Sequence, residues 1–402
     1  MTFHFTRRLM ATAAILAMPS FAWALDGQDL LKKINAAYGD GRVKLAAVSV
    51  DISGDNAVLK GATLAVSGPN ASAIPVGDVR LSGVTANEDG SYEIERVDFQ
   101  PLNMTQETSS IRADNLYMTG VSIPANTNGD TIASMMTYEK AHAGPMSITS
   151  EGKPVVSVAS ADVNTSVEDD GASLAFDSAV KGIKVDLSDV KDPKAQETIE
   201  KLDLKTLSGE VAMKGSWELQ SGTIDIEDYT LNFDRVGKLS MAFSLSGYTL
   251  DLVKQFQETA KRMEEVNGDE QARQQAQQAA GIAMLGLIQQ MSFLGADIRF
   301  DDAGITKRAL DYAGAQQGVS GKDMTQMIKA MVPMMLAQAK LGAFQQELSA
   351  AVNAYLDNPK SLDISAEPEN PVPFPMIAGA AMGAPETLPK LLGAKVTANE
   401  AE

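Results

Sequence analysis

SGEVAMKGSWELQSGTIDIEDYTLNFDRVGKLSMAFSLSGY, residues 208–248, is the stretch whose reading decides the fold. Residues 208–219, 222–233 and 238–245 each carry the period-two alternation of a half-buried strand. Gln220-Ser221-Gly222 and Asp234-Arg235-Val236-Gly237 supply the turn chemistry between them. Three strands joined by such short connections are antiparallel neighbours with one apolar and one wet face.

The same texture extends upstream. Val43 to Ile52 alternates and is broken by Ser53-Gly54-Asp55-Asn56; Val58 to Val66 alternates again before Ser67-Gly68-Pro69-Asn70. Val79, Leu81 and Val84 lead to the hairpin signal Asp89-Gly90, after which Tyr92, Ile94, Val97 and Phe99 resume the period. Ile111 to Ile123 predicts one or two further strands. Asn126 to Gly144 is rich in loop residues around Ile132 to Met136 and marks a boundary. A second β-rich stretch starts at Met146 and includes Val155 to Val163, the turn Asp169-Asp170-Gly171, Ser173 to Val180 and Ile183 to Leu187. Lys194 to Leu202 predicts a short helix.

Beyond Leu250 the period changes to that of a helix. Leu252, Phe256, Met263 and Val266 recur at three- to four-residue steps until Asn267-Gly268. Asp269 to Gln290 begins polar and ends apolar. A strand at 296–300 follows, then a helix at 305–317 ended by Gly318. Ser320 and Asp323 form a capping box before a helix that Pro333 should kink. Phe344 to Leu356 is amphipathic, Leu362 to Ile364 and Ala394 to Ala398 are short strands, and Pro368 to Pro375 is extended. The class is therefore α+β: extended antiparallel sheets over residues 43–248, with a mainly helical region at 250–402 as their natural cover. The division reads 1–24, 25–145, 146–249 and 250–402.

Residues 1–24 have the pattern of a cleavable export signal: Arg7-Arg8, an apolar run from Leu9 to Met18, and the small-x-small box Ala22-Trp23-Ala24. The apolar run is about ten residues, against roughly twenty for a membrane span. Arg7-Arg8 after Thr6 faintly suggests twin-arginine export, and ordinary secretion fits the flanks better. The expectation is a periplasmic protein beginning at Leu25, with no transmembrane segment after cleavage. Ile282 to Leu294 carries Gln289 and Gln290 in its middle, and Met376 to Gly383 is shorter still, so both read as core helices.

Of 402 residues none is Cys, which removes a lipidated N-terminus, disulfides and thiolate chemistry. The net charge of −18 becomes more negative still once the two signal arginines leave. Such a surface repels nucleic acid and leaves cationic partners open. Aromatics at 5 % are too few for a sugar-stacking platform.

Beyond the signal the chain has one His, His142, which reads as a loop residue beside Gly144-Pro145. A zinc set lacks a second His, and no Gly-x-Ser-x-Gly elbow is present. Ser188-Asp189-Val190-Lys191 matches Ser-x-x-Lys but lacks the Lys-Thr-Gly partner, so it reads as a solvated turn. Glu88-Asp89, Glu168-Asp169-Asp170 and Asp301-Asp302 do not reproduce a calcium loop and read as turn chemistry. No catalytic residue, metal set or cofactor motif emerges. The most suggestive element is the run Met324, Met327, Met331 and Met335 on one helical face. Such a stripe is more often core, yet soft Met side chains also suit promiscuous apolar binding.

GADIRFDDAGITKRALDYAGAQQGVS (295–320) and SLDISAEPENPVPFPMIAGAAMGAPETLPKLLGAKVTAN (361–399) resemble the C-terminal part of uncharacterised exported proteins of alphaproteobacteria. The rhythm of 208–248 is similar to that of YdgA-type and AsmA-like periplasmic β-rich proteins, which usually keep a membrane anchor where this chain has a cleavable signal. The resemblance implies an envelope protein and supplies no catalytic residues. The leading expectation is a non-enzymatic protein that holds a lipid or other apolar ligand between sheet and helices. The alternatives are an envelope assembly factor that engages proteins through its acidic surface, and a carboxylate-based hydrolase.

Overall fold

The computed structural model describes residues 25–37, 43–66, 72–127, 129, 131–168, 171–264 and 270–400. Residues 1–24, which read as an export signal, the predicted turns at 67–70 and Asp169-Asp170, and the predicted helix stop Asn267-Gly268 lie outside the described residues.

Helix α1 (Gly27–Ala37) precedes β1 (Val43–Ala46), β2 (Ser49–Ser53), β3 (Asn56–Val66), β4 (Ser72–Ala86), β5 (Tyr92–Asp98), β6 (Leu102–Gln106), β7 (Ser109–Ala113) and β8 (Tyr117–Ile123). Then come β9 (Lys140–Ala143), β10 (Met146–Ser150), β11 (Lys153–Val158), β12 (Ser160–Glu168) and β13 (Ser173–Asp186). Helix α2 (Pro193–Lys201) leads into β14 (Thr206–Glu218), β15 (Thr223–Phe233) and β16 (Gly237–Ser246). The remainder runs α3 (Leu250–Glu264), α4 (Glu270–Ile288), β17 (Ser292–Asp302), α5 (Ile305–Gln316), α6 (Gly321–Ala339), α7 (Phe344–Asp357), β18 (Ser361–Ala366), β19 (Val372–Pro373), α8 (Phe374–Gly383), α9 (Leu388–Leu391) and β20 (Ala394–Ala398). The predicted α+β class is what the chain adopts.

Every strand pairing is antiparallel, and the β-rich stretches on either side of residue 145 share one hydrogen-bonded sheet. The spine order is β2–β3–β4–β5–β8–β9–β12–β13–β14–β15–β16–β17–β18–β20. A branch, β6–β7–β10–β11, rejoins the spine on the second half of β13. The sheet forks because four long strands each break at one level, at residues 99–101, 114–116, 144–145 and 159. At the join Gly182 takes φ +64°, a left-handed conformation that suits glycine. The ladder of β13 on β14 shifts there, between Val180 and Ile183, and the bulge keeps the apolar side chains on one face.

The main core lies at the N-terminal end. Helix α1 buries Leu30 and Ile34 against Leu59, Leu81, Ile94, Val97 and Ile123. Asn35 acts as a piece of strand: its amide donates to the Leu45 carbonyl at 2.8 Å and accepts from the Leu45 N–H at 2.7 Å. The Tyr92 hydroxyl donates to Asp29 at 2.9 Å, and burial with that carboxylate pushes the phenol up to about 12. The helices after 250 behave differently from a cover. Helices α5, α6 and α7 pack in series, and α7 reaches the sheet at β18 and the edge strand β20. Ser320 and Asp323 form the predicted capping box of α6, which continues through Pro333 to Ala339.

His142 is a correction. It lies in β9, paired on both sides by β8 and β12, and not in a loop. Its Nδ1 is 2.8 Å from Asp162 Oδ1, its ring stacks on Tyr117 at 4.9 Å, and the Arg96 guanidinium lies 4.1 Å from the Tyr117 centroid. The stretch 43–52 is also two strands, because the chain departs from the ladder at Ala47-Val48.

Candidate functional site

Residues opposite one another in an antiparallel sheet project from the same face, so register partners can be followed across the whole spine. One row runs Ile52, Ala57, Leu81, Val97, Met118, Ala141, Val163, Ser178, Met213, Tyr229, Met241, Ile298, Ile364, Val396. Ser178 is the sole aliphatic-hydroxyl residue in it. At about 4.8 Å per strand the row is on the order of 60 Å long, and the sheet's twist winds it.

Three shorter rows flank it on the same face. Val180, Val211, Leu231, Leu239, Phe300 and Leu362 form one. Phe176, Gly215, Ile226, Phe243 and Ala296 form the second, and Leu174, Trp217, Ile224, Leu245, Phe293 and Val372 the third. Gly215 is small for a reason: a Cβ there would meet Phe176 Cζ at 2.9 Å and Ile226 Cδ1 at 3.1 Å, so neighbouring side chains close over the gap. The branch adds Met104, Ile111, Ile148, Val156, Val185 and Leu207 to the same face.

The opposite face carries the charge. Lys214 pairs with Glu227, and Arg299 holds Asp301 at 2.8 Å. Burial, together with Asp363 and Glu367 nearby, raises the Asp297 carboxyl above its usual range; burial also raises Asp363, against Arg299.

Cover differs along the apolar face. At one end α1 seals Ala57, Leu81 and Val97. Along the outermost row, Ile132 and Leu250 pack with Leu219, Leu174 and Trp217, while the Trp217 indole donates to the Tyr248 carbonyl at 2.8 Å. At the far end Val396 is buried where α7 meets β20. Between these seals Ile298 and Ile364, adjacent in the long row, are 44 % and 42 % exposed, and Phe243 on β16 is exposed beside them. A contiguous apolar surface rimmed by polar residues is the usual mark of a binding site.

The structure divides the methionine stripe. Met324 is 4 % exposed and belongs to the packing of α6, whereas Met327, Met331 (52 %) and Met335 stand open to solvent, with Met334 beside them. They lie on α6, which packs between α5 and α7, so the stripe and the sheet's apolar face are separate surfaces. The long row was missed at the sequence level; its only local signal was the alternation of each strand.

The other motifs resolve into local chemistry. Lys191 pairs with Glu151 and Lys153 with Asp189, both at 2.6 Å, which clamps the Ser188–Lys191 turn. Asp89 accepts from the Ser91 N–H at 2.8 Å, and Asp302 caps α5 through the N–H groups of Gly304 and Thr306 at 2.7 and 2.9 Å. Among the described residues no helix is long and apolar enough to cross a membrane.

A family model described as an uncharacterized protein matches residues 230–399, which run from β15 to β20. No curated protein matches the chain.

Proposed function

We propose that the protein is an exported envelope protein of the bacterial periplasm that holds lipid acyl chains along the apolar face of its sheet. The observation that carries this reading is the row from Ile52 to Val396, apolar at nearly every strand and open to solvent at Ile298 and Ile364. Water ordered on such a surface is released when hydrocarbon covers it, at about 25 cal/mol per Å². A row on the order of 60 Å long exceeds any single acyl chain, so several lipids lie along it or one moves down it. The strongly acidic surface keeps the open face soluble and disfavours its adhesion to anionic membranes.

No chemical step is needed for this role. The site offers apolar contact and shape, with its charged groups on the opposite face. Native mass spectrometry of the protein released gently from its own envelope, followed by organic extraction, tests it. Bound masses that extract as lipid are expected; a bare chain that also fails to take up added lipid contradicts the proposal.

A further inference from the structure

Two helices of the C-terminal region present apolar surface that no described part of the chain covers. In a chain that is 21 % charged, no residue between Arg273 and Asp297 carries a charge, and none does between Glu369 and Glu386. The first gap holds the apolar half of α4 and the second all of α8. Both segments read as core helices in the sequence, and the structure corrects that. Ile282 is 72 % exposed and Met382 84 %, and Leu285, Ile288 and Met376 are exposed as well. Helix α4 packs along α3, and Ala280 and Leu287 are buried among its described side chains. Helix α8 has no buried residue.

The two helices leave one corner of the sheet. Helix α4 ends just before β17, α8 follows β19 directly, and β17 pairs with β19 at Phe293 and Val372. The Phe374 N–H of α8 donates to the Met291 carbonyl at 3.2 Å. Phe293 and Val372 end the outermost apolar row, and Phe293 is about 17 Å along β17 from the open Ile298.

The form of α8 decides what covers it. Phe374 to Gly383 is apolar on every side. A protein partner meets one side of a helix, whereas hydrocarbon surrounds it. Helices that lie on a membrane usually keep a charged face in water; α8 has none and sinks below the headgroups. Its 10 residues span roughly 15 Å, half of a hydrocarbon core about 30 Å thick, so it enters one leaflet without crossing. The acidic remainder of the chain stays in water and favours a membrane without net charge.

We propose that α8 and the apolar half of α4 dock the protein into one leaflet of a zwitterionic bilayer, which brings the end of the apolar row to a source of lipid. Docking stands on the two helices; that it loads the sheet rests on the lipid-holding reading.

The test is flotation of the protein isolated from its envelope with phosphatidylcholine vesicles and with phosphatidylglycerol vesicles. Two variants, Met376→Asp/Met382→Asp and Ile282→Asp/Leu285→Asp, run beside it, with circular dichroism confirming each fold. The wild type is expected to float with phosphatidylcholine more than with phosphatidylglycerol at low salt, and as well at high salt. Each variant should bind phosphatidylcholine vesicles about tenfold more weakly, yet retain lipid supplied from mixed micelles as the wild type does. A wild-type chain that stays in solution, or variants that float as it does, overturns the docking surface. Flotation with phosphatidylglycerol alone overturns the zwitterionic preference. Flotation lost in Ile298→Asp/Ile364→Asp and kept in both helix variants overturns the proposal by placing the contact on the sheet. Self-association without vesicles that is lost in Met376→Asp/Met382→Asp overturns the bilayer in favour of a second copy. Flotation by a wild-type chain that retains no lipid from micelles supports docking and contradicts the lipid-holding reading.

Discussion

Ala57, Leu81 and Val97 at one end of the long row and Met241, Ile298 and Ile364 at the other come from strands with the same alternation, yet they meet different fates. The first three lie under α1 and are core; Ile298 and Ile364 stand open. The difference is made by one amphipathic helix. α1 has Leu30 and Ile34 on a single face and three polar ties to the sheet, through Asp29, Lys33 and Asn35. Beyond β16 the chain has seven α-helices among the described residues; α3 sets Leu250 on the outermost row, α7 reaches β18 and β20, and the rest of their apolar surface goes to one another or to solvent. On the proposed function, the part of the sheet face left open at Ile298 and Ile364 is the surface that takes lipid.

The sharpest way to break this comparison is to truncate one residue in each half. Leu59→Ala, in the sealed half, should cost about 3 kcal/mol in urea unfolding, because the fully buried leucine leaves a cavity. Ile364→Ala should change stability by less than about 1 kcal/mol. Equal losses at the two positions would remove the distinction between core and binding face.

Gly215→Val tests the packing between the extremes. Its Cβ would meet the Asp225 carbonyl oxygen at 2.4 Å, which no rotamer relieves, so about 2 kcal/mol should be lost in the same assay. An unchanged midpoint would mean that Phe176 and Ile226 do not close over the glycine.

Ile298→Asp combined with Ile364→Asp places two carboxylates in the open part of the row. Lipid retention should fall about tenfold, at a stability cost of about 1 kcal/mol. Retention unchanged by this pair would direct the search to the methionines of α6.

The smallest effect belongs to the charged face. Asp297 titrates above its ordinary 3.8 in the folded chain because burial, Asp363 and Glu367 disfavour its charge. The folded state therefore holds this proton more tightly than the unfolded chain does. Its stability contribution is present at low pH and is lost as pH rises from about 3.8 through the raised value. Asp297→Asn should stabilise the protein at pH 7, and thermal melts should show the gain shrinking towards pH 4. A gain of the same size at both pH values would contradict that assignment.

Much of the fold was legible in the sequence. The strands of 208–245 and the helices at 305–316 and 344–357 appear where period and caps place them, because those signals are local. His142 was read as loop because Gly144-Pro145 follows it and Ala141 and Ala143 are too small to show alternation; ladders on both sides nonetheless hold the four-residue β9. The candidate site was barely legible. Which residue of β17 faces which of β18 is set by pairing between strands separated by α5, α6 and α7, and no local pattern encodes it. Helical spacing gathered Met324, Met327, Met331 and Met335 on one face, but spacing does not say what covers a face, and here the cover stops after Met324.

The most direct measurement is photo-crosslinking in the intact envelope, with a photoreactive residue placed at Ile298 and, as control, at its neighbour Arg299 on the opposite face. Lipid adducts at position 298 and their absence at 299 are the expected result. Adducts to protein alone at 298, or lipid adducts of equal yield at both positions, would contradict a lipid-holding face.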